Sequence, residues 1–144
     1  MRELAAHRRI ALDSNVLIYL LETAGPLADA AATIVDSIES GAHEGVLSVV
    51  GLFEILTGPA RAGDAQAFEI TADAIRDLHL RIVLLDRSVA EDVAWIRGSL
   101  GIPLEDAVHL ACARSAGATA LVTNDRRIRS IPKVDVLYLD DFAA

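Results

Sequence analysis

Short apolar runs alternate along this chain with longer stretches whose apolar positions recur every three or four residues. "RIAL" at residues 9–12 predicts a first strand and "NVLIYLLE" the helix after it. In "PLADAAATIVDSIESG", Leu27, Ala30, Ala31, Ile34, Val35 and Ile38 share one helical face, opened by Pro26 and closed by Gly41. "GVLSVV" predicts a second strand, and "GLFEILTG" a helix ending near Gly58 and Pro59. "DAQAFEITADAIRDL" aligns Phe68, Ala72 and Ile75 on a helical stripe, and "RIVLL" predicts a third strand. Ser88 and Glu91 have the spacing of a capping box for a helix burying Val89, Val93 and Ile96. "LEDAVHLACARSAG" is a further helix stopped by Gly117, "ALVT" the fourth strand and "VLYL" the last. The loop "TGPARAGD" is the softest stretch.

Short apolar strands separated by amphipathic helices predict an α/β fold, with a central parallel sheet and helices on both faces. At 144 residues the chain is expected to form one domain, residues 1–144. With 53% hydrophobic but only 4% aromatic residues, the core must come from Leu, Val, Ile and Ala. The formal charge of −8 argues against a protein that coats nucleic acid through a broad basic face. It leaves room for an enzyme that meets RNA through a metal ion and a few arginines. One cysteine, Cys112, cannot form an internal disulfide, which fits a reducing cytoplasm. Asp13 and Asn15 interrupt the apolar start, so an export signal is not expected, and no window is apolar enough for a membrane span.

The candidate chemistry lies in four acids. Asp13 and Asp125 follow the first and fourth strands, where open parallel sheets gather their ligands, although each alone also reads as a helix cap. Glu54 is the one ionisable residue between Ser48 and Thr57 in a very apolar helix, so it needs an arginine partner or a metal. Asp106 sits in the first turn of its helix, where an acid also suits the helix dipole, and Glu105 beside it is expected to have that role alone. If the four converge, their repulsion requires protonation or a cation. All-oxygen ligands favour Mg²⁺ or Mn²⁺, and the chemistry is then metal-assisted phosphodiester hydrolysis.

"IALDSNVLIYLLE", "LSVVGLFEILTG", "PLEDAVHLACARSAGATALVTND" and "IPKVDVLYLDDF" resemble, in order, the motifs of PIN-domain ribonucleases, most closely the VapC-type toxins of bacterial toxin–antitoxin pairs. The resemblance runs from about Ile10 to Phe142. It implies a three-layer α/β/α sandwich and Mg²⁺- or Mn²⁺-dependent endonucleolytic cleavage of RNA. Asp13, Glu54, Asp106 and Asp125 match the family's acidic metal site one for one. By that match Asp13 and Asp106 hold the metal most directly, while Glu54 and Asp125 close the cluster. Asn15 and Thr123 match polar positions that shape the site, or serve turn chemistry alone. The implied partners are an RNA substrate, a second copy in a homodimer, and a small VapB-type antitoxin whose C-terminal segment covers the active groove.

Two features depart from the family pattern. "MRELAAHRR", residues 1–9, precedes the first strand as an extension expected to fray. His109 forms an i, i+3 pair with Asp106, and is expected in the core or beside the ligands more than as a metal ligand itself. Arg126, Arg127 and Arg129 either hold the RNA backbone or form a solvated helical turn. Asp86, Asp140 and Asp141 are expected to face solvent or cap helices, and Trp95 to lie in the core or a dimer interface. A haloacid-dehalogenase-like phosphatase would need a second acid where Asn15 stands, and a response-regulator receiver a better-placed lysine than Lys133. A PIN nuclease of RNA processing and a non-catalytic PIN-like scaffold remain as alternatives to the toxin.

Overall fold

A computed structural model describes residues 2–143. Five strands, β1 (Arg9–Leu12), β2 (Glu44–Ser48), β3 (Leu80–Val83), β4 (Ala120–Thr123) and β5 (Asp135–Tyr138), form one all-parallel sheet in the order β3-β2-β1-β4-β5. The chain therefore winds outward from β1 to β3, returns, and winds outward again through β4 and β5. The reversal falls between β1 and β4, whose carboxyl ends open the crevice where ligands of such sheets bind.

Seven helices cover the sheet: α1 (Arg2–Ala5), α2 (Ser14–Glu22), α3 (Pro26–Glu39), α4 (Val49–Arg61), α5 (Ala65–Asp77), α6 (Arg87–Leu100) and α7 (Leu104–Ser115). Successive strand residues point to opposite faces, and the core divides accordingly. Ala11, Val46 and Leu121 pack with α6 and α7, whereas Ile10, Leu12, Leu47 and Val122 pack with α2 and α3. The result is the expected three-layer α/β/α sandwich. The face predicted for α3 is the buried one, from Ala30 to Ile38, with Leu27 half-buried at its start. In α7, every residue from Ala107 to Ala113 is buried. Its alanines and Cys112 keep the helix thin enough to sit between the sheet and α6.

Several boundaries differ from the sequence expectation. Val49 and Val50 belong to α4, because the Ser48 hydroxyl accepts from the Gly51 amide at 2.9 Å and starts the helix there. That helix continues through Gly58 and Pro59 to Arg61, so most of the expected loop is helical. Pro59 stands in the last turn and removes only one backbone donor there; the chain turns away at Gly63, which takes φ 69°. Leu84 and Leu85 fall outside β3 and are exposed. The cap of α6 is Asp86, whose carboxylate accepts from the Val89 amide at 2.9 Å, so the helix begins ahead of the Ser88–Glu91 box. Trp95 is 70% exposed and is not a core residue.

Within the stretch expected to fray, two side chains are packed among exposed neighbours. Leu4 is fully buried, and His7 Nδ1 lies 2.8 Å from the Thr119 hydroxyl. No single helix among the described residues is long and apolar enough to cross a membrane.

One backbone position carries an expected result of its own. Ile131 and Val134 close a tight antiparallel bridge across Pro132 and Lys133, and Lys133 takes φ 74°. A residue with a Cβ pays roughly 1 kcal/mol for that conformation. Lys133→Gly is expected to stabilise the fold by a few tenths to about 1 kcal/mol, part of the gain being returned as unfolded-state entropy. Urea denaturation measures it; an unchanged or lowered midpoint would contradict the assignment.

Candidate active site

The carboxyl end of β1 delivers Asp13 into the crevice. Its amide donates to the Val122 carbonyl at 2.9 Å, extending the β1–β4 pairing by one residue. As the residue before α2, it has extended backbone and accepts the Ser14 amide on Oδ1 at 2.8 Å. The other oxygen, Oδ2, accepts from the Thr123 hydroxyl at 2.8 Å and from Asn15 Nδ2 at 3.2 Å. Thr123 Oγ1 in turn accepts from Asn15 and from the Asp125 amide, and Asn15 Oδ1 accepts from the Asn124 amide. Asn15 and Thr123 thus fix both the Asp13 carboxylate and the start of the loop after β4. Asp13 is a helix cap and a site residue at once, buried at 6% exposure.

Glu54 projects from α4 toward α7, and its partner is not an arginine. His109 Nε2 donates to Glu54 Oε1 at 3.0 Å and stands 3.5 Å from Asp13 Oδ1. Because a carboxylate only accepts, this nitrogen carries a proton. His109 Nδ1 lies 3.0 Å from the Ser48 hydroxyl, the same group that caps α4. Burial opposes charging His109, but the Glu54 hydrogen bond and the Asp13 charge outweigh it and raise its pKa. Burial also opposes ionising Glu54, yet the hydrogen bonds from His109 and Glu105 hold its carboxyl below the ordinary value.

The remaining acids arrive from α7 and from the loop after β4. Asp106 is half-buried; burial first, then the charges of Asp125 and Asp13, push its carboxyl up. Glu105 was expected to serve the helix end alone, but it presses on Glu54. The hydrogen bond to Glu54, its charge and burial push Glu105 up to about 7. The sequence carried no signal for this contact beyond two acids in succession. Asp125 is held by Arg127, with Nε at 2.9 Å, Nη2 at 2.8 Å and the Arg127 amide at 3.0 Å, which lowers its pKa.

Among the described residues, Asp13, Glu54 and His109 present ligand atoms all within 4.8 Å of one another. Asp106 and Asp125 flank that trio and are not part of it. The three arginines are not in a helical turn: Arg126 and Arg127 form a tight turn, and Arg129 is exposed beyond it. Arg126 is committed elsewhere, bound to Asp140 at 2.6 Å and Asp141 at 2.7 Å and lying over the Tyr138 ring. Those two acids are therefore ion-paired rather than free.

The donor set fits a divalent cation. Two carboxylates about 4 Å apart repel by roughly 4 kcal/mol at an effective dielectric of about 20. Among the described residues, five acids from the end of β1, α4, α7 and the loop after β4 crowd one rim, and the cationic side chains paired with them are His109 and Arg127. The carboxylate oxygens suit a hard ion, whereas His109 Nε2, which donates its proton to Glu54, would have to give up that proton before it could serve as a ligand.

The sequence profile of the PIN domain family matches residues 10–134. Among curated proteins, no sequence matches this chain. The solved structures that share the fold include the following three. VapBC2 from Rickettsia felis, bound to a promoter DNA fragment, superposes with TM-score 0.74 at 17% identity, over 90% of this chain and 98% of that one. FitAcB from Neisseria gonorrhoeae gives TM-score 0.71 at 22% identity, over 90% and 97%. DNA-bound VapBC from Salmonella typhimurium gives TM-score 0.67 at 20% identity, over 91% and 98%.

Proposed function

This chain belongs to the PIN domain family, and from that premise we propose that it is a metal-dependent endoribonuclease, the toxin of a toxin–antitoxin pair. The observation that carries the nuclease reading is the buried Asp13 carboxylate beside Glu54, at the β1/β4 switch point, with Asp106 and Asp125 flanking it. Asp13 would hold an Mg²⁺ or Mn²⁺ ion, with Glu54, Asp106 and Asp125 completing an acidic ring around it. Such an ion, when bound, lowers the pKa of a coordinated water and neutralises charge building on the scissile phosphate.

The chain's own groups prepare that chemistry. Thr123 and Asn15 lock one Asp13 oxygen by donating to it. His109 keeps Glu54 ionised and aimed across the crevice. Arg127 is 88% exposed at its side chain, so it can leave Asp125 for an RNA phosphate at little cost. Arg129 is exposed further along the same loop, while Arg126 is engaged by its two aspartates.

The toxin reading rests on the assemblies named for the similar structures, VapBC and FitAcB, and on two surfaces here. Phe53, 57% exposed, precedes Glu54 on α4 and offers an apolar contact to an antitoxin segment whose arginines would pair with the acids of the crevice. Trp95, exposed on α6, offers an apolar contact to a second copy in a homodimer. Co-expression with the product of a short neighbouring gene should relieve growth arrest; a chain that causes no arrest is better read as an RNA-processing nuclease.

Metal binding has a readout independent of cleavage. A ligand that binds only the folded state at 100 times its Kd stabilises by about 2.7 kcal/mol. Saturating Mn²⁺ should therefore raise the thermal midpoint of this protein by several degrees, and EDTA should both reverse the shift and stop RNA cleavage. Cleavage that persists undiminished in EDTA would overturn the mechanism.

A further inference from the structure

The rim opposite the acidic crevice carries a separate cleft of about 480 Å³, lined from the amino-terminal ends of β1, β2 and β3 and the end of α3. A four-residue strand, about 13 Å long, separates the two rims. Three arginines, Arg8, Arg9 and Arg81, and two of the four histidines, His43 and His79, gather in this cleft of a protein whose net charge is −8.

Its two acids are already engaged. Glu44 accepts Arg9 Nε and Nη2, both at 2.7 Å. Glu39 accepts the His79 amide at 2.6 Å and lies 2.7 Å from His79 Nδ1. What remains is cationic. Arg8 reaches Glu44 only at 3.7 Å with its side chain 76% exposed, and Arg81 has no ion-pair partner among the described residues. The histidines are oriented as well. His43 Nδ1 donates to the His7 carbonyl at 2.7 Å, which leaves its Nε2 uncommitted, and His79 is likewise tied through Nδ1.

We propose that this cleft binds a phosphate group, carried by a ligand of about mononucleotide size. Two guanidinium groups, from Arg8 just before β1 and Arg81 on β3, suit a tetrahedral dianion whose oxygens accept from several directions; a planar carboxylate is satisfied by one arginine fork. The volume lies within the range of small-molecule sites. This proposal is independent of the nuclease reading.

The test is a ¹⁵N chemical-shift titration of the full chain with inorganic phosphate and, separately, with AMP. Saturable shifts at Gly41, Gly45 and His79 are expected, with the Arg8→Gln/Arg81→Gln double variant binding at least about tenfold more weakly. Both side chains are exposed and the fold does not depend on them; Arg97→Gln on α6 serves as the charge control and should bind normally. Tighter binding of AMP than of phosphate assigns a nucleotide as the source, and equal binding assigns the free ion. Absence of saturation by about 10 mM with both probes, or equal affinity in the double variant, overturns the proposal. Asp13→Asn protein should bind AMP unchanged, which separates failure here from failure of the nuclease assignment.

Discussion

Asp13→Asn protein is expected to lose RNA cleavage by at least about a hundredfold while remaining as folded as the parent. The geometry preserves the start of the helix in this substitution. Asp13 begins α2, and asparagine is as good at that position as aspartate, so the helix start is retained. The side-chain oxygen that accepts the Ser14 amide survives the change. The second oxygen becomes an NH₂ that meets the Asn15 amide nitrogen and a Thr123 hydroxyl whose oxygen already accepts twice, so these hydrogen bonds must rearrange locally. What disappears is the buried charge. Circular dichroism should be unchanged, and the Mn²⁺-induced rise in thermal midpoint should vanish with the activity. Full cleavage by this variant would remove Asp13 from the mechanism; loss of helical signal would show that its role is structural.

The second large effect is on stability. His109 is 3% exposed and joins three elements, touching Glu54 of α4, Asp13 at the end of β1 and Ser48 at the end of β2. Removing one partner from a buried polar network leaves the others unsatisfied, which costs about 1–3 kcal/mol per group and more where a charge is stranded. Glu54 is partly exposed and can recover some hydration, so the lower part of that range applies to it. His109→Ala is expected to lower stability by about 2–4 kcal/mol, read as a fall in the urea midpoint at constant m-value. His109→Gln keeps a donor near Glu54 and should recover part of the loss. An alanine variant as stable as the parent would mean that the acids find relief elsewhere.

Individual residues show where sequence was informative. Strands β1, β2 and β4 could be read because burial on both faces leaves short continuous apolar runs, and helix α3 because its buried positions recur on one face. The ends failed where one local contact outweighed the pattern: the Ser48 hydroxyl drew two valines into α4, and Asp86 displaced the expected capping box. Asp13 could be proposed from its place after an apolar strand, and Glu54 from its isolation among apolar residues. His109 as the partner of Glu54, and Glu105 pressed on the same carboxyl, could not, because those contacts span 55 and 51 positions and depend on how α4 and α7 cross.

The amino-acid order alone determined the layer architecture, the parallel sheet and the set of acids able to meet at its carboxyl edge, since hydrophobic spacing and strand ends are local properties of the chain. Only the folded molecule decided which of those acids crowd together, which base relieves them and where the arginines turn. Side-chain direction and charge pairing are set by neighbours remote in sequence, and the same remoteness hid the cationic cleft on the far rim.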